Sequence, residues 1–395
     1  MKTLQWRRLI LPFSFVTALL GASVAQGRAP AVIGLTADGT ITWIYPTNNV
    51  IEYHVRWTTN LLASPNGWTE LPAPIAPTAT VLSAQAPASA PGSFYRVNAI
   101  LSALPSHSPL DGMVLVLPGA FAMGNTTGET NSVDPSERPV HTVSTAAFYM
   151  DAHEVTWQQW QDVTGSASGY DFDGYATGKA EDHPVQSVSW YDCVKWCNAR
   201  SEAEGLTPCY YTSSSFTPDS VYKAGIVNVS NEWVKWDANG YRLPTESEWE
   251  KAARGGLPAS RFPWGDTISH SQANYYSSTN LYYYDVSSTP EYHPAFNDGV
   301  EPYTCPAGYF QANGYGLTEM AGNVWEWCWD WKGDYSEDPQ VNPQGPSAGT
   351  DRVIRGGDWR EDAIYCRVAY RGQLDPASND GNNIIGFRTV VSAEH

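Results

Sequence analysis

The sequence predicts a loop-rich globule of mixed α and β structure preceded by a small all-β unit, and three observations carry this reading. Residues 31 to 102 alternate apolar and polar positions over short runs and show no helical period. From residue 156 onward, three segments carry helix caps at the required spacing. The remaining chain consists of short strand-like runs, and 33 Gly and 28 Pro in 395 residues leave long connections between them.

In the first unit the runs TITWIY, EYHVRWTT and FYRVNAIL are separated by Pro, Asn, Gly and Ala clusters. A small β-sandwich over 31–102 is the economical solution, and the segment resembles the fibronectin-type-III-like modules attached to exported enzymes. Its expected role is that of a spacer, with surface or carbohydrate attachment as the alternative. The Ser/Pro-rich stretch ALPSHSPLDG at 103–112 reads as a linker into a second unit over 113–391.

There the first helix is predicted to start at Thr156, with Gln159 closing a capping box ahead of Trp157, Trp160 and Val163. A second starts at Ser189 with Asp192 and stops before Gly205. A third follows Pro244, with Thr245 as cap, Glu248 three residues on and Gly255 as the stop. In GNVWEWCWDW, Trp325, Trp327, Trp329 and Trp331 alternate with Glu326, Cys328 and Asp330, so a strand would place four indoles on one face.

The N-terminus has Lys2, Arg7 and Arg8 ahead of an apolar run from Leu9 to Leu20 and the small residues Ser23-Val24-Ala25. This is the pattern of a secretory signal over 1–25, and it predicts a secreted or periplasmic chain with no membrane span after cleavage. A net charge of -18 repels phosphate and argues against a nucleic-acid partner. Export permits disulfides among Cys193, Cys197, Cys209, Cys305, Cys328 and Cys366, although Cys193 and Cys197, four apart on a helix, are badly placed to bridge each other. No cysteine spacing matches a zinc site. His141, His153, His183 and His293 are scattered, with neither HExxH nor paired helical spacing.

Read in order, the second unit contains MVLVLPGAFAMG, ERPVHTVSTAAFYMDAHEVTWQQW, HPVQSVSWYDCVKWCNARSEAEGLTPCYY and NGYRLPTESEWEKAARGG. FPWGD, ANYY, NGYGLTEMAGNVWEWCWDW, RVIRGGDW, YCRVAYR and IIGFRTV follow. Order and spacing resemble the sulfatase-modifying-factor family, the formylglycine-generating enzymes. The resemblance implies an α/β fold related to C-type lectins. It also implies a pocket where, in active members, two cysteines hold copper(I) and a sulfatase cysteine is oxidised to formylglycine. Counted along RGGDWREDAIYCRVAYR, the second reactive cysteine falls on Cys366, the first on Glu361, and the serine after the glycines on Asp358. A carboxylate is too hard a ligand to replace a copper(I) thiolate, so copper is not expected. Cys366 is left with two readings, a lone reactive thiol or a buried structural one, and Trp327 matches a tryptophan beside the family's reactive site.

The same resemblance implies structural calcium. One ion would take Asn274, Asp298 and the carbonyls of Tyr275 and Val300; a second would take Glu326 and the carbonyls of Gly322 and Val324, all hard oxygen donors. Three functions follow from these residues. The first is a divergent member binding a peptide or small ligand around Trp327, Asp358, Glu361 and Cys366, and the second a formylglycine-generating oxidase with an exported sulfatase as partner. The third is an extracellular carbohydrate-binding or adhesion protein.

Overall fold

The computed structural model describes residues 112–128, 134–379 and 383–393 in full and, between 31 and 101, the backbone of six strands. The chain divides into two units, Met1–Pro109 and Leu110–His395. The signal segment and the linker expected at 103–112 lie outside the described residues, except for Gly112.

In the first unit the strands are β1 (Ala31–Leu35), β2 (Thr40–Ile44), β3 (Val50–Thr58), β4 (Thr69–Glu70), β5 (Val81–Gln85) and β6 (Phe94–Leu101). They form two antiparallel sheets of three, ordered β1-β2-β5 and β4-β3-β6. The three strands expected from alternation are β2, β3 and β6.

The second unit begins with β7 (Met113–Val116), β8 (Gly119–Met123), β9 (His141–Thr145) and β10 (Phe148–Asp151). Helices α1 (Trp157–Ser166), α2 (Trp190–Ala203) and α3 (Glu246–Ala253) follow. Then come β11 (Trp325–Trp331), β12 (Gln340–Val341), β13 (Arg352–Arg355), β14 (Gly372–Leu374), β15 (Ile385–Gly386) and β16 (Val390–Ser392). All three predicted caps form: Thr156 accepts from the Gln159 amide, Ser189 from Asp192 and Thr245 from Glu248, and the first and third are complete capping boxes.

Three small sheets result, ordered β16-β10-β7, β12-β9-β8 and β14-β13-β11-β15. Strand β11 is the centre of the last, and all seven of its residues are buried. Its indoles separate as alternation requires: Trp325, Trp327 and Trp329 enter the main apolar core with Trp190, Trp196 and Phe387, while Cys328 joins a second core with Trp249. Its acids are buried as well. Glu326 accepts two hydrogen bonds from Arg388 (2.7 and 2.8 Å) and one from the Trp249 indole, and Asp330 accepts the Glu246 amide at 2.7 Å.

Residues 254–324 contain no named helix or strand. Turns and isolated bridges such as Asn274–Gly322 and Tyr276–Asp362 hold that stretch, and around it a set of buried guanidinium–carboxylate pairs joins distant segments. Arg371 grips Glu246 with two bonds (2.6 and 2.7 Å), Arg254 grips Glu250 (2.7 and 3.0 Å), and Arg367 grips Glu137 (2.6 and 2.8 Å). Arg355 reaches Glu250 from β13, so the carboxylate on α3 is shared between a helix and a strand. Two-pronged pairing suits the planar guanidinium and satisfies several buried polar atoms at once.

Arg388→Ala leaves the fully buried Glu326 carboxylate facing only an indole N–H. Stability measured by urea unfolding is expected to fall by about 3–5 kcal/mol, the ordinary cost of stranding one partner of a buried pair.

Candidate functional site

Strand β13 ends in Gly356-Gly357, both in the left-handed region with φ of 100° and 77°. A Cβ on Gly357 would stand 2.9 Å from the Cys366 sulfur, so glycine is required for the turn to pass over that thiol. Asp358 then organises the next turn: its Oδ1 accepts the backbone amides of Arg360 at 2.6 Å and Glu361 at 3.0 Å. The Glu361 carbonyl in turn accepts the Tyr276 amide at 3.0 Å, which fixes Glu361 against the loop that carries Asn274 and Tyr275. The Gly357 turn thus lies on Cys366 and leads directly into the turn of Asp358 and Glu361.

Their chemistry opposes a reactive thiolate. Cys366 is fully buried and packs with Phe262, Ile268, Tyr275 and Tyr284. Burial raises its thiol well above the ordinary range, and the carboxylates of Asp358, Glu361, Asp285 and Asp362 raise it further. Asp358 is also fully buried; its second oxygen, Oδ2, has no hydrogen-bond partner among the described residues. Burial first, then the charge of Glu361, pushes the Asp358 carboxyl up to about 7 against the two backbone bonds that lower it. Burial also raises Glu361, which is half-buried.

Trp327 stands apart from this group. It lies in the main core, paired across the sheet with Ile354, and its indole donates to the Val188 carbonyl at 2.8 Å. Its neighbours are those of a packed core and not of a pocket wall. The six cysteines are all buried and none is in a disulfide. Cys193, Cys197 and Cys209 belong to the main core and Cys328 to the second, so none of these four shares the cluster around Cys366.

The oxygens expected to hold calcium find other partners. Lys179 makes a 2.8 Å salt bridge to Asp298 and donates to the Val300 carbonyl at 3.1 Å, so the two oxygens do converge on a cation, but the cation is an ammonium. The Tyr275 carbonyl faces His270 Nε2 at 3.1 Å, and Asn274 donates to the Tyr303 carbonyl at 2.8 Å. Asn274 Oδ1 alone of this set is buried and unpaired. In the second set Gly322 serves as a left-handed turn (φ 78°) against the Asn274 backbone, and Val324 is a core residue. Glu326 is engaged on both oxygens by Arg388. In this structure the Lys179 ammonium and the Arg388 guanidinium stand against the two carboxylates that the resemblance assigns to calcium. Among the described residues no group of three or more His, Cys, Asp or Glu is placed to hold a metal.

A model of the sulfatase-modifying factor enzyme 1-like domain matches residues 101–393. The chain belongs to the sulfatase-modifying factor family. The formylglycine-generating enzyme of Mus musculus is 34% identical over 322 residues, covering 75% of this chain and 78% of its own length. That of Streptomyces coelicolor is 33% identical over 296 residues, covering 72% and 90%. The chaperone protein LppX of Paenibacillus barcinonensis is 33% identical over 275 residues, covering 67% and 84%. Among solved structures, Treponema denticola variable protein 1 superposes with a TM-score of 0.54 at 27% identity, covering 71% of this chain and 94% of its own. The architecture described above, few helices and many short strands joined by long loops, is the C-type-lectin-like fold of this sulfatase-modifying factor family.

Asp358→Asn removes the titration of the buried carboxyl while keeping Oδ1 as acceptor. The folded value lies above the ordinary 3.8, so the unfolded chain loses its proton first and wild-type stability falls as pH rises from about 4 to about 7, then levels. The stability of the variant relative to wild type is expected to grow over that window by an amount on the order of 4 kcal/mol in urea titrations. A difference that stays flat between pH 4 and pH 8 would contradict the assignment.

Proposed function

We propose that this chain is a divergent, exported sulfatase-modifying factor that uses the surface around Asp358, Glu361 and Cys366 to bind a peptide or small ligand and does not generate formylglycine. The observation that carries this reading is the pairing of one buried, carboxylate-flanked thiol with Glu361 at the position of the first reactive cysteine. Copper(I) prefers soft thiolates, whereas Asp358 and Glu361 offer only hard oxygens. The anionic surroundings of Cys366 further oppose the thiolate that would have to bind the ion. A relative of comparable identity bears the name of a chaperone, which fits a family in which binding can stand without the oxidation. Export is supported by the N-terminal pattern, and no helix among the described residues is long and apolar enough to cross a membrane.

The second reading, a formylglycine-generating oxidase acting on an exported sulfatase, is favoured by the 33–34% identity to two proteins of that name. A carbohydrate-binding role has less behind it: Tyr175, Tyr283 and Tyr309 are exposed, but Tyr283 packs against Tyr284 and Arg261 and Tyr309 against Phe296 and Phe310.

A direct assay separates the first two readings. Purified protein, copper(I), oxygen and a Cys-x-Pro-x-Arg peptide are expected to give no aldehyde above background by mass spectrometry with hydrazide capture. Glu361→Cys combined with Asp358→Ser is expected to restore the soft ligand pair and create conversion. Robust conversion by the wild type, lost in Cys366→Ser, would establish the oxidase instead.

A further inference from the structure

A cavity of about 500 Å³ opens at the far end of β11 from the Cys366 turn, between the N-terminus of α3 and the chain from 340 to 346. His141, Ser247, Asp330, Trp331, Tyr335 and Gln344 are among its walls. Nothing in the family reading uses it. We propose that this cavity binds a small ligand through a primary ammonium group, received by the Asp330 carboxyl.

The charged donor of the wall is already engaged. Arg371 gives Nε and Nη2 to Glu246 and Nη1 to the carbonyls of Ser136 and Gly333, so its positive charge is matched within the wall. The Tyr335 hydroxyl donates to Glu246 at 3.2 Å, and the Ser247 hydroxyl pairs with Thr245 at 3.1 Å. Among what is left open are two acceptors. Asp330 is 4% exposed; its Oδ2 takes the Glu246 amide at 2.7 Å, and among the described residues no hydrogen bond reaches Oδ1. His141 Nδ1 lies 3.1 Å from the Pro139 carbonyl, which assigns the ring proton to Nδ1 and leaves Nε2 a lone pair. A buried carboxyl with one oxygen that no described residue reaches, beside a guanidinium already matched within the wall, can take a donor from outside.

The aromatic rings of the wall already carry cations, which argues against a sugar stacked on the indole. The Tyr335 ring has the Arg371 guanidinium at 3.8 Å and the His141 ring at 4.6 Å. Trp331 carries the Arg352 guanidinium at 3.5 Å, and Gly349 packs closely on it, since a Cβ there would stand 2.9 Å from the Trp331 Cβ. With Arg371 matched to Glu246, the acids left in the lining are Asp330 and, at the rim, the exposed Asp334, and the Arg352 guanidinium on the Trp331 ring is a nearby positive charge. In the free protein, burial and the neighbouring Glu246 push Asp330 up to about 8; an ammonium at Oδ1 would supply the opposite charge that ionises it. Gly345 passes over this carboxyl with φ 70°, and a Cβ there would sit 2.9 Å from Oδ1, so the loop is shaped to approach the carboxyl closely.

The test is calorimetric titration of the full chain with putrescine and, as a neutral analogue of the same length, 1,4-butanediol. Putrescine is expected to give a saturable heat and butanediol none. Asp330→Asn should weaken putrescine by about tenfold or more, and Gln344→Trp, which fills the cavity from its rim, should abolish binding with circular dichroism unchanged. Equal binding of butanediol, unaltered putrescine binding in both variants, or no heat from the wild type at about 10 mM putrescine would each overturn the assignment. None of these outcomes depends on whether Cys366 is reactive.

Discussion

The second unit depends on guanidinium groups that are buried and held by two-pronged carboxylate pairs. Helix α3 is only eight residues long, too short to stand by its own hydrogen bonds. It is fixed because Glu246 and Glu250 project into the molecule and are gripped by Arg371 and Arg355 from two other parts of the chain and by Arg254 at the helix's own C-cap. The Gly124 amide adds a further bond to Glu250 at 2.8 Å, which ties the end of the β8 hairpin to the same carboxylate. A buried pair is no better for stability than well-packed apolar residues, but once built it makes the loss of either member costly. In a fold with long stretches of irregular chain, each fork also fixes geometry that a sheet or helix would otherwise impose.

The parts of this architecture legible in the sequence are the local ones. Thr156, Ser189 and Thr245 announce their helices because a cap and its partner lie three residues apart, and the β11 indoles declare a strand because alternation is a period of two. What stays hidden is long-range. Glu137 and Arg367 are 230 positions apart, and nothing near either residue indicates the other. The same holds for Asp298 and Glu326: both have the chemistry for a hard cation, and only the fold reveals that Lys179 and Arg388 contact them. Alternation also led to a strand with one apolar and one polar face, whereas β11 is central and buries both, with its acids matched or, for Asp330, left partly unmatched.

At the candidate site the order of residues carried most of the information. The double glycine lies on Cys366 and leads into the turn of Asp358 and Glu361, because Gly357 has no Cβ and can lie directly on the sulfur. Trp327 does not join them, since strand register directs its indole into the main core. The electrostatics were visible only in part: the replacement of a cysteine by Glu361 could be read directly, but the contributions of Asp285 and Asp362 to the environment of Cys366 arise from loops folded against it. The Asp330 cavity had no sequence signal at all beyond an acid in a strand of tryptophans.

The claim that buried pairs organise this fold is tested most directly by Glu250→Gln, which preserves shape while removing the charge shared by Arg254 and Arg355. Equilibrium urea unfolding is expected to show a loss of about 3–5 kcal/mol, as for a guanidinium left buried without its partner. A loss below about 1 kcal/mol, the range of exposed surface pairs, would contradict the account.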